Sequence, residues 1–404
     1  MNFFKKLKSN KIIIDIILNI SAAALPIAML QLIIYPRVAK DIGGDEYGLM
    51  LTIYSVWIMI SNSLGNVLNN IKLLKFPEYS KAGVEGDLPI LLRRWLCIGS
   101  AIIFFVIWIY CGEFSPIHIF LGVIAAAFIM LKAYFEVGFR IKLNYVAILI
   151  NHALLSIGFF LGYFLCKITG IWELIFILGY ALSSFYCIAK TELIKEPAVK
   201  TQFYQEVKKD SYSLVCSTVI NNLINYADKL VLYPLMGGMA VSIYYTATIL
   251  GKITGMLTGP INSVILSYIT RWDKTKANVF FKVIIVGGIV ATLGYFITLL
   301  ISRPVLSLLF PQWLEEVMDI IPYTTVTIML NVLVSIMQPF VLKYCKMQWQ
   351  IAISALGSVA YFTCALILWN FMGLKGFCIG TIVGIVTKLI IMVLVYCKSV
   401  NALK

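Results

Sequence analysis

The stretch Ser211–Thr270 reads SYSLVCSTVINNLINYADKLVLYPLMGGMAVSIYYTATILGKITGMLTGPINSVILSYIT. Two long apolar segments, 211–236 and 241–268, flank the short break Met236-Gly237-Gly238. Each is long enough to cross a bilayer, which takes about 20 residues. Yet the first carries Asp228-Lys229 and the second carries Lys252 near its middle. A charge at that depth costs several kcal/mol and normally faces a protein interior or a wet cavity.

The polar residues of each segment share a face. Ser217, Asn221, Asn225 and Asp228 follow i, i+4, i+8, i+11. Tyr245, Thr248, Lys252, Gly255, Gly259 and Asn262 follow i, i+3, i+7, i+10, i+14, i+17. Both are helical stripes. They read either as the lining of a solute pathway or as a satisfied polar seam, since Asn and Ser bridge membrane helices. A seam needs no lysine at mid-depth, which favours the pathway.

The whole chain has the same character. Of 404 residues, 61% are hydrophobic and 13% charged, and the mean hydropathy is +0.92. An ordinary soluble domain is about 25% charged, so that class is excluded. The expected fold class is an all-α polytopic membrane protein with about 12 spans. These lie near 12–35, 47–70, 89–111, 116–137, 143–165, 171–190, 211–236, 241–268, 279–301, 319–342, 350–371 and 375–397. The basic start followed by Ala22-Ala23-Ala24 has the look of a signal peptide, but Asp15 and Asn19 interrupt its apolar core. It is expected to be a first membrane helix.

Charge distribution tests this count. Of the 33 Lys and Arg, 25 fall in one alternating set of loops or in the span ends that adjoin them, five belong to the other set, and three (Lys229, Lys252 and Lys388) lie deep inside spans. Such asymmetry places the basic loops and both termini in the cytoplasm. It accounts for the net charge of +14 without nucleic acid, and leaves membrane lipid as the generic partner of the basic loops. Nine cysteines are scattered through apolar runs, and there are two histidines, His118 and His152. Neither a disulfide framework nor a metal site is expected.

The longest cytoplasmic connection, Lys190–Asp210, divides the chain into an N-terminal six-helix half (1–195), a charged linker (196–210) and a C-terminal six-helix half (211–404). The halves echo each other. Ile33-Ile34-Tyr35-Pro36 recurs as Val231-Leu232-Tyr233-Pro234, each followed by a Gly-Gly pair, Gly43-Gly44 and Gly237-Gly238. Six helices separate the echoes, so the repeat is parallel, and in transporters built this way the substrate sits near the repeat interface.

Further stripes appear in the other spans. Asp15, Asn19, Ala22 and Pro26 share a face of the first helix, and Ser55, Asn62, Asn66 and Asn69 one of the second. Thr324, Thr327, Asn331, Ser335 and Gln338 align in the tenth, and Thr381, Gly384 and Lys388 in the twelfth. Together they favour an enclosed aqueous cavity. Its candidate substrate contacts are Lys252, Lys388, Lys229, Asn221, Asn225, Asn66 and Tyr245. The two mid-depth lysines suit an anionic group. Asp228 and Asp15 are the carboxylates available for ion coupling, although Asp15 lies one turn from Lys11 and Asp228 beside Lys229. Pro26 frees a backbone carbonyl, and Gly259-Pro260 breaks helix 8, so both are hinge candidates. Either histidine could titrate, but the plainer reading is an ordinary hydrogen-bonded side chain. No protease, hydrolase or nucleotide-binding motif occurs, so neither catalysis nor ATP-driven transport by this chain alone is expected.

The pattern resembles the bacterial O-antigen and capsular polysaccharide repeat-unit flippases (the Wzx type). These belong to the multidrug/oligosaccharidyl-lipid/polysaccharide exporter superfamily. The resemblance covers the whole chain, in its twelve spans, two halves and charged central loop. Locally it rests on Asp228-Lys229-Leu230-Val231-Leu232, on Tyr244 and Lys252, on Gly259-Pro260, and on Gly43 with Glu46-Tyr47-Gly48. It implies two V-shaped bundles in alternating access, moving an undecaprenyl-diphosphate-linked oligosaccharide from the cytoplasmic to the outer leaflet of the bacterial inner membrane. It further implies a proton or sodium gradient in place of a cofactor, with a polysaccharide polymerase and a chain-length regulator as partners. Family lumens carry arginines, whereas only lysines occur at depth here.

Three other readings stay open. An organic-cation antiporter of the same superfamily should favour acidic cavity residues, and intramembrane lysines outnumber aspartates here. A membrane polymerase should carry a large external loop. A flippase for the cell-wall precursor should have more than twelve helices.

Overall fold

The computed structural model describes residues 2–110, 116–255, 277–345 and 347–401. Within them, side chains are described from Ile14 onward apart from scattered positions that include Asn221, Asn225 and Lys252. Gly259 and Pro260 lie outside the described residues.

The described chain is helical almost throughout. Helix α1 (Asn2–Ala28) runs through a π-helical turn, Met29–Ile34, into α2 (Tyr35–Ile42). Helix α3 (Gly44–Trp57) likewise passes through a π-turn, Ile58–Asn62, into α4 (Ser63–Ala82). Then come α5 (Asp87–Tyr110), α6 (Pro116–Phe135), the short α7 (Val137–Ile141), α8 (Tyr145–Thr169) and α9 (Glu173–Lys190). Helices α10 (Tyr204–Gly255), α11 (Ala277–Leu309), α12 (Leu314–Tyr344) and α13 (Met347–Asn401) complete the order. Among the described residues, ten helices are long and apolar enough to cross a membrane. The chain is thus an all-α, multi-pass membrane protein. Its outward surface agrees: Ile285, Val286, Ile289, Leu293, Phe296 and Leu300 of α11 are all exposed, as lipid requires.

Two of these helices are too long for one span. A straight α13 would measure about 80 Å at 1.5 Å per residue, against about 30 Å of hydrocarbon. At Gly373 (φ 56°, ψ −134°) it leaves helical geometry. Its arms then close antiparallel, with Gly380 on Ala365 and Gly384 on Tyr361, leaving no room for a Cβ at either glycine. Helix α10 breaks in the same way at Gly237 (φ 80°, ψ −178°). Both breaks fall between spans read from the sequence.

The sequence echo is also a backbone echo. Gly43 adopts φ 84°, ψ 172°, close to the φ 80°, ψ −178° of Gly237. An L side chain rarely takes this conformation, so both chain reversals depend on glycine. The two echoes meet. Gly48 packs on the backbone of Gly238, and Gly238 on that of Asp45, with no space for a Cβ at either.

Contacts divide the chain into two compact units, Met1–Gly238 and Met239–Lys404. The first includes the linker and the arm of α10 that follows it. Its core is aromatic: Trp57 stacks on Trp172 at 5.7 Å and Tyr54 on Phe176 at 4.2 Å. Helices α8 and α9 form a hairpin in which a Cβ on Gly158 would lie 2.6 Å from Gly179. Close backbone approach of this kind drives helix association in lipid. The core of the second unit gathers Phe280, Phe340, Met392 and Tyr396, with Phe280 stacked on Tyr396 at 3.7 Å.

The charged linker is docked against the first unit. Lys72 Nζ meets Glu196 Oε1 at 2.5 Å with both side chains buried, and Lys75 meets Glu206 at 2.6 Å. Buried Asp87 accepts from Tyr79 Oη (2.6 Å), from the Thr201 backbone N–H (2.7 Å) and from the Thr201 hydroxyl. Helix α4 reaches this contact because it continues to Ala82, well past the span expected from hydropathy.

Candidate functional site

The polar interior of the first unit forms where the first arm of α10 crosses α3 and α4. Asn222, Tyr226 and Lys229 follow i, i+4, i+7 and share one face. Asn222 Nδ2 donates to Ser63 Oγ at 2.5 Å, and Lys229 Nζ donates to Ser55 Oγ at 3.0 Å. The Lys229 ammonium lies 5.4 Å from the centre of the Tyr226 ring, within range of a cation–π attraction. Lys229 is 8% exposed, so the chain holds a cation inside a bundle on a hydroxyl and an aromatic face. Half-buried Asp228 adjoins it and accepts the Lys229 backbone N–H at 2.9 Å. Nearby, the hydroxyls of Tyr54 and Tyr180 meet at 3.0 Å.

The π-turn at Ile58–Asn62 explains which serines take part. Ser55 and Ser63 are eight apart, one more than the i, i+7 that returns to the same face. The π-turn takes up one extra residue and restores the alignment. It rotates everything downstream by about 100° relative to a plain helix. The expected stripe Ser55, Asn62, Asn66, Asn69 is therefore split. Asn66 is exposed, while Asn69 is buried and donates to Ala133 O at 2.8 Å and accepts from Arg140 at 2.6 Å.

In the second unit the polar stripes of α12 and α13 meet through Thr327 and Thr381, whose hydroxyls are 3.0 Å apart. Two turns along α13 from Thr381 lies Lys388, half-buried, its Cβ against Gly357. Among the described residues it makes no hydrogen bond or ion pair. Tyr245 is buried in the second arm of α10, where its carbonyl accepts from Thr248 Oγ1 at 2.8 Å.

The structure therefore brings Lys229 into a polar interior in the first unit and leaves Lys388 in the second without a hydrogen-bond or ion-pair partner among the described residues. Asp15 is half-buried and Pro26 buried in α1. The side chains of Asn221, Asn225 and Lys252 lie outside the described residues. Sequence reading missed Asn222 and Tyr226, though their spacing with Lys229 was visible in it. It also missed Lys132, Glu136 and His152, a buried charge cluster within the first unit.

Comparisons with known proteins place this fold. No family model matches the chain, and no curated protein matches it. Solved structures do. An inward-facing multidrug resistance MATE family transporter of the MOP superfamily aligns at TM-score 0.66 and 13% identity, over 95% of this chain and 98% of that one. The lipid II flippase MurJ in an inward closed conformation aligns at 0.63 and 15%, over 98% and 90%. The Vibrio cholerae MATE transporter VcmN in its bent form aligns at 0.56 and 12%, over 97% of each chain. The chain thus shares, end to end, the fold of transporters and of a lipid flippase.

Proposed function

We propose that this chain is a flippase for a diphosphate-linked lipid oligosaccharide, of the O-antigen or capsule repeat-unit kind, working by alternating access in a bacterial inner membrane. It is a transporter and not an enzyme in this reading. The observation that carries it is Lys388, a half-buried lysine at mid-span with no carboxylate partner among the described residues. An ammonium there is costly without a counter-charge, and an anionic substrate supplies one. Lys229 adds a second interior cation, and Lys252 a third by sequence. Hydroxyls within each unit, those of Tyr54 and Ser55 in the first and of Thr327 in the second, suit sugar recognition. An ion gradient is the driving force in this scheme, with polymerase and chain-length regulator as downstream partners.

The second reading is an organic-cation antiporter. It is favoured by Glu173, a 1% exposed carboxylate whose Oε1 meets His118 Nδ1 at 2.7 Å while Oε2 has no hydrogen-bond partner among the described residues.

Ligand stabilisation of the purified protein distinguishes the two. A ligand at a hundred times its Kd stabilises the folded state by about 2.7 kcal/mol. Undecaprenyl diphosphate is expected to raise the unfolding temperature, and Lys388→Gln to abolish the rise. Stabilisation by tetraphenylphosphonium with none by undecaprenyl diphosphate would replace the flippase with the antiporter.

A further inference from the structure

Helix α1 carries Pro26, which has no N–H to give to the carbonyl four residues earlier. That carbonyl belongs to Ala22. Its partner comes from another helix: His152 Nδ1, on α8, lies 2.8 Å from Ala22 O. A carbonyl only accepts, so Nδ1 carries a proton, and proton exchange at this imidazole is confined to Nε2.

Nε2 faces two groups of opposite charge. Lys132 Nζ lies 3.1 Å away and Glu136 Oε2 also 3.1 Å, while the lysine and glutamate pair directly at 2.6 Å. Without a proton, Nε2 accepts from the ammonium but opposes its lone pair to the carboxylate. With a proton, it donates to the carboxylate but confronts the ammonium. Each state satisfies one neighbour and not the other, so the site discriminates little between them by hydrogen bonding. Asn151 on the same helix bonds Glu136 Oε2 at 3.3 Å and accepts from Ser183 of α9 at 2.7 Å. Among the described residues, buried Cys187 of α9 is a further titratable group facing the cluster. The nearest ionisable residue of α1, Asp15, lies two turns toward the cytoplasmic end. The acid, base and imidazole each keep 13 to 18% of their side chains exposed.

We propose that His152, held between Lys132 and Glu136, is a proton-binding site of the first unit, and that its Nε2 proton is sensed by helix α1 through the Nδ1–H···O=C bond to Ala22. Taking up a proton from water makes the imidazole a cation. The bond to the proline-freed carbonyl is then charge-assisted, about twice as strong as its neutral form. Releasing the proton weakens the hold on α1 next to Pro26. This goes beyond the transport reading and does not depend on what is carried.

The chain has only two histidines, so the site is open to direct observation. Imidazole 15N spectra of the full protein in nanodiscs, assigned with His118→Gln, report each nitrogen separately. The expected result, across a titration window from alkaline to acid, is an Nδ1 that stays protonated while Nε2 gains a proton. Glu136→Gln removes that uptake from the window and Lys132→Met moves it to higher pH. Pro26→Ala, which restores a helical N–H for Ala22 O, releases the fixed Nδ1 tautomer. An Nε2 in one state across the whole window overturns the proposal. So does an uptake that neither Glu136→Gln nor Lys132→Met displaces.

Discussion

Lys72 and Glu196 show how individual residues tie the linker to the bundle. Both are buried, at 2.5 Å. Breaking such a pair from one side strands the other charge and costs about 3–5 kcal/mol. Lys72→Met, which leaves a buried carboxylate, is expected to lower thermal stability by that order and to exceed the effect of Glu196→Gln. Burial raises the Glu196 carboxyl above the ordinary carboxylate range, against the opposing pull of Lys72. The folded state therefore holds this proton better than the unfolded one. Its contribution is full at low pH and is lost as pH rises through the raised value. Glu196→Gln should flatten that part of the stability–pH profile, which urea titrations in detergent across the acid range would measure. At this scale the sequence was partly legible. Lys229 and Lys388 stood out because charge is rare in apolar runs. Asn222 did not, because Asn221 and Asn225 made an equally regular stripe one residue away. The Lys132–Glu136–His152 cluster was hidden for a different reason: Lys132 and Glu136 make an ordinary i, i+4 pair on one span, and no spacing rule links that pair to His152 on the next.

The helices owe their ends and crossings to glycine and to the two π-turns. Gly43 and Gly237 hold the same left-handed backbone with open space around them. Alanine at either position costs only the conformational strain, about 1–3 kcal/mol. Gly48 is the opposite case. It sits inside α3, where alanine normally gains about 1 kcal/mol of helix propensity. Here the new methyl would meet the backbone of Gly238, which cannot swing aside as a side chain can. Gly48→Ala is therefore expected to destabilise more than Gly43→Ala, as thermal unfolding of the two variants in parallel would show. A neutral or stabilising Gly48→Ala would mean the two echoes do not meet. The glycine breaks were readable because Gly-Gly punctuates apolar runs. The π-turns were not. Nothing in Ile58-Met59-Ile60-Ser61-Asn62 marks an extra residue, so the polar stripe beyond it was projected onto the wrong face and Asn66 with it.

For the whole molecule, hydropathy and lysine placement made the architecture legible. A span needs about 20 apolar residues, and basic residues stay on the cytoplasmic side. Those two rules locate twelve segments, and helices lie at each of them within the described residues. Substrate identity is not written this way, because a sugar is recognised by scattered hydroxyls and amides from several helices. The fold is shared by MATE transporters and the lipid II flippase MurJ, so for the proposed transporter the chemistry inside the units must decide between an anionic lipid and an organic cation. The most direct measurement is transbilayer movement in liposomes holding the purified protein, a fluorescent undecaprenyl-diphosphate oligosaccharide and an imposed proton or sodium gradient. Leaflet exchange by the wild type, reduced about tenfold or more by Lys388→Gln (a loss of about 1.4 kcal/mol) and retained by Lys388→Arg, is the predicted result. No exchange of the lipid, with gradient-driven export of an organic cation by the same preparation, would contradict it.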